Sequence, residues 1–287
     1  MPLLIDDQPM GPSPKSVAEF IQRYPKFKES AIVLSSKPTK AVPPHGLLYV
    51  GQREMAVASP DDEIIQVLGT DDATTCHIVI LRHTASSATG LAHFDGSGLA
   101  NATQNLIGTV MSVTGGKQWG RLELTLAGGF KDDRGTSENL SVKILDCFNK
   151  NPAEVHLITA CITDLNTRNE KGVPFPIIYG LATIIQTGEV FPAKFQDRGP
   201  DQPLRSARSF TGADEVLNVY DNRKKLPDPI IREHLSTSPA QEPKHFEASV
   251  RAALVQIRDF PDPLKSVFNG KGRHYKKEPD GKWSKVA

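Results

Sequence analysis

The sequence predicts a mixed α+β domain built in layers. Two observations carry this prediction: strand-like segments outnumber helical ones, and they follow one another in runs instead of alternating strictly with helices. The chain has 287 residues, of which 38% are hydrophobic, so it can bury a substantial core. We therefore expect a layered α+β fold and not a series of βαβ units.

Helices are predicted where apolar residues recur at helical spacing. The clearest case is Val17, Phe20 and Ile21, which follow the i, i+3, i+4 pattern in a segment that is expected to end before Pro25. The same kind of spacing predicts further helices over residues 137–148 and 246–260.

Strands are predicted where short apolar or alternating runs are bounded by turn residues. The alternation of Leu122, Leu124 and Leu126 is the clearest example. It leads into Gly128-Gly129, where the backbone is expected to turn or to pass close to another segment. The predicted strands cover residues 47–59, 64–68, 76–82, 91–94, 121–127, 155–163, 177–185 and 190–195, and a terminal hairpin is predicted over 274–286.

Charge and hydropathy exclude two classes of partner. Lys and Arg number 34 against 33 Asp and Glu, so the net charge near +1 creates no field that would gather phosphates or anionic lipid. The apolar runs are strand-sized, well short of a membrane-spanning helix. We therefore expect no nucleic-acid partner and no membrane insertion.

The N-terminus and the cysteines indicate a reducing compartment. The first residues, Met-Pro-Leu-Leu-Ile-Asp-Asp, lack the basic lead and the long apolar core of a secretory signal, so we expect the protein in the cytoplasm or the nucleus. Three cysteines without a Cys-x-x-Cys pair favour neither a disulfide framework nor a thiolate zinc site. A free thiol is then available for chemistry.

Cys76 and His93 are the candidate nucleophile and base. Hydrolysis of an amide without a metal needs a nucleophile, a base that activates it and donors for the oxyanion. Cys76 follows the polar segment 69–73, which is predicted as a loop, and it enters a strand, a position that exposes a side chain at the end of a sheet. His93 lies in the next predicted strand, and an antiparallel connection would place sulfur and imidazole side by side.

The other cysteines and histidines have simpler interpretations. Cys147 and Cys161 lie in apolar runs and are predicted to be core residues. His77 is expected on the strand face opposite to the candidate nucleophile, in a structural role, and His83 is expected at the surface. A metal site built from His77, His83 and His93 lacks ligand spacing on one face and a carboxylate partner, so we predict no metal and no cofactor.

Several segments resemble protein N-terminal asparagine amidohydrolases, in the same order along the chain. The most specific runs from Leu68 to Val79, Leu-Gly-Thr-Asp-Asp-Ala-Thr-Thr-Cys-His-Ile-Val, around the candidate nucleophile. The sequence departs from the family between 219–221, Val-Tyr-Asp, and Leu235, where it has a short polar link in place of a longer aromatic-rich stretch. The other matching segments are Met1–Leu4, Gly46–Val50 with Gln52–Glu54, Gly128–Phe130 with Asp132–Arg134, Phe195–Pro200 and Leu235–Pro239.

A more distant resemblance implies the fold and the roles of three residues. The spacing of Thr70, Cys76 and His93 is similar to the triad of bacterial chemotaxis-receptor glutamine deamidases. It implies a layered α-β-β sandwich of mixed sheets flanked by a few helices, which those enzymes share with deamidating toxins. It also implies that Cys76 is the nucleophile, that His93 is the base and that Thr70 orients the imidazole. From the residues alone, Thr70 is equally well an ordinary turn residue.

The first resemblance implies an enzyme that hydrolyses the side-chain amide of an N-terminal asparagine in proteins and peptides. The products would be N-terminal aspartate and ammonia, formed through a thioester on Cys76, and in this family the aspartate feeds arginylation and N-degron proteolysis. An acidic group is needed for the substrate's α-ammonium, and Asp71, Asp72 and Glu54 are the candidates. The alternative for the two aspartates is that they merely cap the loop. The backbone at Thr75 is a candidate for the oxyanion.

Two alternatives stay open at this point. The chain could be a deamidase of internal glutamine, which would keep Cys76 and His93 but need no amine pocket, or a non-catalytic module that binds Asn-ended proteins. We expect a monomer that forms a single domain over residues 1–287. Its catalytic core would lie at about 45–200, and a C-terminal extension, 201–287, would pack on that core.

Overall fold

The computed structural model describes residues 3–117, 119–210 and 227–286. The start of the Met1–Leu4 segment and the whole Val-Tyr-Asp block at 219–221, both used in the comparison of motifs, lie outside these residues. Within the described ranges, no helix combines the length and the apolar character needed to span a bilayer.

Short helices and strands alternate irregularly along the described chain. The helices are α1 (Val17–Arg23), α2 (Lys26–Ser35), α3 (Leu99–Ser112), α4 (Thr136–Lys150), α5 (Gln202–Ala207), α6 (Asp228–Leu235), α7 (Phe246–Asp259) and α8 (Pro263–Ser266). The strands are β1 (Leu3–Ile5), β2 (Gln8–Pro9), β3 (Lys40–Val42), β4 (Leu47–Tyr49), β5 (Met55–Ala58), β6 (Val67–Thr70), β7 (His77–His83), β8 (Thr89–Phe94), β9 (Leu122–Gly128), β10 (Val155–Ile162), β11 (Thr167–Glu170), β12 (Val173–Pro176), β13 (Leu181–Ile184), β14 (Val190–Phe195), β15 (His274–Lys277) and β16 (Trp283–Val286).

Two mixed sheets form the centre of the molecule. The larger has seven strands in the order β2-β1-β10-β9-β7-β8-β5, in which β10 runs parallel to β1 and β9 while β7 is antiparallel to both of its neighbours. The smaller has five strands in the order β3-β14-β13-β6-β4. These two sheets and the helices make the α-β-β sandwich that the sequence predicts.

The alternation of side chains along β7 shows how the three layers pack. Val79 and Leu81 face one way and join a core with Phe20 of α1, Leu106 of α3 and Ile144 of α4. Because successive strand residues point to opposite faces, the intervening isoleucines face the second sheet. They form an inter-sheet core, whose members include Ile78, Ile80, Leu91, Leu68 and Leu181. A strand buried on both faces reads as a continuous apolar run, as β7 does.

The helices at 137–148 and 246–260 and the helix before Pro25 are confirmed as α4, α7 and α1. Five helices, α2, α3, α5, α6 and α8, were not predicted. In α3 the buried residues have helical spacing, but its N-cap is Gly98, which offers no side-chain hydrogen bond and so no start signal. The terminal hairpin is confirmed as the pair β15 and β16.

Three local predictions were wrong. The predicted strand at 47–59 is two strands in different sheets, because the chain turns at Arg53, whose φ is 61°. The loop predicted at 69–73 begins later, because Gly69 and Thr70 belong to β6, where Thr70 pairs with Leu181. His83 is only 3% exposed and bonds to Ser86, so it is not a surface residue.

The chain after residue 200 packs against the central sheets. Gln241 donates a hydrogen bond to the carbonyl of Pro174 at 2.8 Å, and His245 reaches Asp72. In the terminal hairpin, Lys277 is buried and donates to the carbonyl of Leu47 in β4. The C-terminal part of the chain therefore contacts residues that lie between positions 45 and 200.

Gly128 of β9 lies against the backbone at the start of β7, the strand that Cys76 directly precedes. Its φ is 129°, and a Cβ at this position would lie 2.5 Å from the carbonyl oxygen of Cys76. The N–H of Gly129 donates to that same oxygen at 2.9 Å. The close approach expected at this glycine pair is thus directed at the backbone of the candidate nucleophile.

We expect Gly128→Ala to lower the free energy of unfolding by about 2–4 kcal/mol, because the added methyl group meets backbone atoms at a strained φ. Gly108→Ala in α3 is the matched control. No atom lies within 4 Å of its added Cβ, so slight stabilisation, about 0.5–1 kcal/mol, is expected. Denaturant unfolding measures both values, and equal stability of the two variants would contradict the close approach.

Candidate active site

A cavity of about 450 Å³ opens where the two sheets meet residues from the C-terminal part of the chain. Its volume is in the range that holds small ligands or the end of a peptide. All seven residues that the sequence predicts for catalysis or substrate binding lie on it or directly behind it. Those that line it are Glu54, Asp71, Asp72, Thr75, Cys76 and His93.

Strand register brings Cys76 and His93 to the same face of the larger sheet. His93 of β8 pairs with Ile78 of β7, and Cys76 lies two residues before Ile78, so its side chain points to the same side. The two side chains are diagonal neighbours, an arrangement within reach of long side chains. The antiparallel connection expected between them is confirmed.

Thr70 holds the imidazole from the opposite sheet. Its Oγ1 lies 2.8 Å from Nδ1 of His93, and both residues are buried. The other ring nitrogen, Nε2, is buried and has no hydrogen-bond partner among the described residues. Since a buried polar atom without a partner is costly, this nitrogen is available for a group that enters the cavity.

Burial keeps the thiol and the imidazole uncharged. Burial raises the pKa of Cys76 well above its ordinary value, and the negative charges of Asp95 and Glu242 act in the same direction. Burial also lowers the pKa of His93 to about 4, against the opposing charges of Asp95 and Asp72. Near neutral pH the pair is therefore a thiol beside a neutral imidazole.

Arg198 forms ion pairs with both predicted aspartates, Asp71 and Asp72. Its guanidinium lies 2.9 Å from Oδ1 of Asp71 and 2.6 Å from Oδ2 of Asp72. The left-handed φ of Asp72, 59°, breaks the alternation of an extended chain, so both carboxylates reach one arginine. Asp71 also accepts hydrogen bonds from the hydroxyl of Tyr49 at 2.9 Å and from the N–H of Phe195 at 3.1 Å.

The pKa values of the two aspartates move in opposite directions. Burial and the neighbouring charge of Asp72 raise the pKa of Asp71. For Asp72, burial is outweighed by the hydrogen bond and charge of Arg198 and by His245, which lies 2.8 Å away, so its pKa is lowered. Asp71 thus acts as a buried support for Arg198, and Asp72 carries charge at the cavity wall.

Glu54 is occupied by another arginine. Arg205 donates to both carboxylate oxygens of Glu54, at 2.8 and 2.6 Å, and the N–H of Gly51 donates to Oε2 at 2.7 Å. Burial would raise the pKa of Glu54, but these bonds to Arg205 lower it. A bidentate pair leaves little free capacity for a substrate ammonium group, so Glu54 is better described as part of the scaffold.

The remaining predicted residues are also placed. Thr75 is hydrogen-bonded through Oγ1 to Oγ1 of Thr237 at 2.8 Å, which connects the loop before Cys76 to the C-terminal part of the chain. His77 is fully buried on the opposite face, where its Nε2 meets Ser141 of α4 at 2.7 Å, and burial lowers its pKa to about 3. The structural role predicted for His77 is confirmed.

The other two cysteines and the histidines give no second centre. Cys161 is fully buried in the inter-sheet core, and Cys147 packs partly buried against the helix side. His83 lies at the far end of β7 from His93. In the described ranges no three histidine, cysteine or acidic side chains are grouped as metal ligands would be.

A sequence profile of the family described as protein N-terminal asparagine amidohydrolase matches residues 37–227 and 223–285. Proteins of that name from Mus musculus and Homo sapiens are 42% and 40% identical to this chain, over all of it and over 99% of each relative. One from Arabidopsis thaliana is 24% identical, over 83% of this chain and 80% of that protein. The chain belongs to the protein N-terminal asparagine amidohydrolase family.

Sequence reasoning missed several residues of this amidohydrolase site. Arg198, Arg205, Glu242 and His245 all line the cavity and lie inside the matched segments. Arg198 was within a motif already noted, Phe195–Pro200, yet a single arginine in a loop carries no sign of which carboxylate it will meet. Only the folded chain brings it to Asp71 and Asp72.

We expect iodoacetamide to modify Cys76 more slowly than a free cysteine near neutral pH. The thiolate is the reactive form, and burial raises the pKa of Cys76 above the ordinary value of about 8.5. The rate should keep rising through alkaline pH, because deprotonation occurs only there. Mass spectrometry of the peptide that contains Cys76, against a cysteine peptide as control, measures this rate. A plateau reached in mildly acidic buffer would show a preformed thiolate instead.

Proposed function

We propose that this chain hydrolyses the side-chain amide of an N-terminal asparagine, giving N-terminal aspartate and ammonia. Membership of the amidohydrolase family supports the reaction. The observation that carries the residue roles is the arrangement of His93: Nδ1 is held by Thr70, and the unpartnered Nε2 lies in the cavity that Cys76 also lines. A nucleophile, a base and a residue that orients the base are thus present together.

In the first half of the proposed reaction, Nε2 of His93 accepts the proton of the Cys76 thiol. The sulfur attacks the carboxamide carbon, and its oxygen takes up negative charge that backbone N–H groups near Thr75 and Cys76 stabilise. The tetrahedral intermediate then collapses. The carbon–nitrogen bond breaks, the imidazolium gives its proton to the leaving nitrogen, and ammonia departs from a thioester.

In the second half of the proposed reaction, water hydrolyses the thioester. His93 takes a proton from water as the oxygen attacks the thioester carbon, and the carbon–sulfur bond breaks to regenerate the thiol. The product is an N-terminal aspartate. We propose that this product feeds arginylation and N-degron proteolysis, and that the reaction takes place in the cytoplasm.

Thr70 selects the tautomer that this mechanism requires. The base must present a lone pair at Nε2, so the ring proton must be on Nδ1. That proton can be donated to Oγ1 of Thr70 at the observed 2.8 Å. Because Thr70 does not touch the reacting atoms, it is a positioning residue.

The test of the reaction compares three peptides that differ only at the first residue: Asn, Gln and N-acetyl-Asn. Wild-type protein is expected to release ammonia from the first peptide alone, with the mass change of amide to acid. Cys76→Ala should lower the rate by about four orders of magnitude or more, since removal of a nucleophile leaves only the residual contribution of binding. Cys147→Ala, which changes a cysteine in the other core, is the matched control and should keep wild-type activity.

Other outcomes of this comparison favour other functions. Ammonia release from the acetylated peptide would indicate a deamidase that does not require a free α-amino group. Tight binding of the Asn peptide without turnover would indicate a binding module. Full activity of Cys76→Ala would overturn the assignment of the nucleophile.

We expect Thr70→Val to lower kcat by about 10–100-fold with little change in KM, because the ring loses the partner that fixes its orientation. Thr70→Ser keeps a hydroxyl and should recover most of the activity. Steady-state kinetics with the Asn peptide measures both variants, and thermal unfolding checks that both are folded. A loss that appears in KM alone, or no recovery in Thr70→Ser, would argue against this positioning role.

A further inference from the structure

The walls of the cavity carry more acidic than basic side chains. Among the described lining residues there are five carboxylates and three arginines. Arg53 pairs with Asp95, Arg205 pairs with Glu54, and Arg198 is shared by Asp71 and Asp72. Negative charge therefore remains inside the cavity, which suits a cationic ligand.

Glu242 is the lining carboxylate that lacks an arginine or lysine partner in the described part of the chain. Its Oε1 accepts a hydrogen bond from Ser236 at 2.5 Å. The nearby Arg232 forms its ion pair with Glu247 and donates at 3.3 Å to the backbone carbonyl of Glu242, not to its side chain. This leaves an incompletely satisfied carboxylate that faces the cavity.

Hydrogen bonds connect Glu242 to the catalytic loop. Thr75, next to Cys76, bonds to Thr237, and the neighbouring Ser236 bonds to Glu242. The carboxylate is near enough to the thiol for its charge to raise the pKa of Cys76. In asparagine the α-nitrogen is only a few bonds from the carboxamide carbon, so an α-ammonium anchor must share the cavity of the thiol.

The environment of Glu242 favours a positive ligand. Burial raises the pKa of Glu242 to about 7, against the hydrogen bond from Ser236, and the charge of Asp72 adds to the rise. An ammonium group beside this carboxylate would relieve the repulsion that Asp72 causes. The buried, unpartnered Nε2 of His93 is an independent sign that the same cavity accepts a ligand.

We propose that the carboxylate of Glu242 binds the α-ammonium group of the substrate's first residue and so restricts the reaction to asparagine at the chain end. This inference rests on the proposed function. Glu242 takes the role that the sequence analysis offered to Glu54, because Glu54 is held by Arg205. Asp72, bound to Arg198 and His245, contributes charge to the same wall.

The test uses two peptides of one sequence, one with N-terminal Asn and one whose first residue is succinamoyl, which is asparagine without its α-amino group. We expect Glu242→Gln to lower kcat/KM for the Asn peptide by about 10–100-fold, mainly through KM, because a charge-assisted hydrogen bond is lost. The rate with the succinamoyl peptide should stay within about twofold of wild type, so the preference for the α-amine disappears.

Glu247→Gln is the matched control, because Glu247 belongs to the same region but pairs with Arg232 and is not among the described lining residues. It should keep the wild-type preference. Glu242→Asp retains the charge on a shorter side chain and should weaken the preference partly, so it serves if the glutamine variant does not fold. Equal losses on both peptides, or an unchanged preference in Glu242→Gln and Glu242→Asp, would overturn the proposal. If wild type turns over neither peptide, the proposed function itself fails.

Discussion

The hydrogen bond between Thr70 and His93 joins the two sheets at the rim of the cavity. Its two residues belong to β6 of the smaller sheet and β8 of the larger one, so its geometry depends on how the sheets pack face to face. The apolar inter-sheet core sets that packing, and close-packed interiors permit only small shifts. The orientation of the imidazole is thus determined by the same core that holds the fold together, which gives His93 a rigid support.

Burial of Cys76 and His93 determines the charge state of the site before a substrate binds. The thiol and the imidazole are both kept neutral, whereas the surrounding acidic groups are mostly bound to Arg53, Arg198 and Arg205. In a site with low local dielectric, the ion pair formed by proton transfer depends strongly on nearby dipoles and charges. A substrate that excludes water and carries a positive charge would therefore change the equilibrium of proton transfer between the thiol and the imidazole.

Local patterns in the sequence were enough to predict the strands next to Cys76 and His93, but not to predict which residues line the cavity. The apolar run of β7 and the alternation in β9 identified strands because burial on one or both faces leaves a direct mark on composition. Cys76 and His93 followed from those strands. Arg198 and Glu242 could not, because only the fold brings Arg198 to Asp71 and Glu242 near Cys76. Helix α3 was missed because Gly98 supplies no capping signal.

The residues around the cavity come from two different parts of the chain. Thr70 and His93 belong to β6 and β8 and Cys76 directly precedes β7, while Thr237, Glu242 and His245 come from the chain after residue 200. In the mechanism proposed above, attack on the carboxamide uses Cys76, His93 and Thr70, whereas recognition of the α-ammonium group uses the carboxylate of Glu242. On this proposal, recognition and reaction can change independently, because substitution of Glu242 leaves the hydrogen bond between Thr70 and His93 in place.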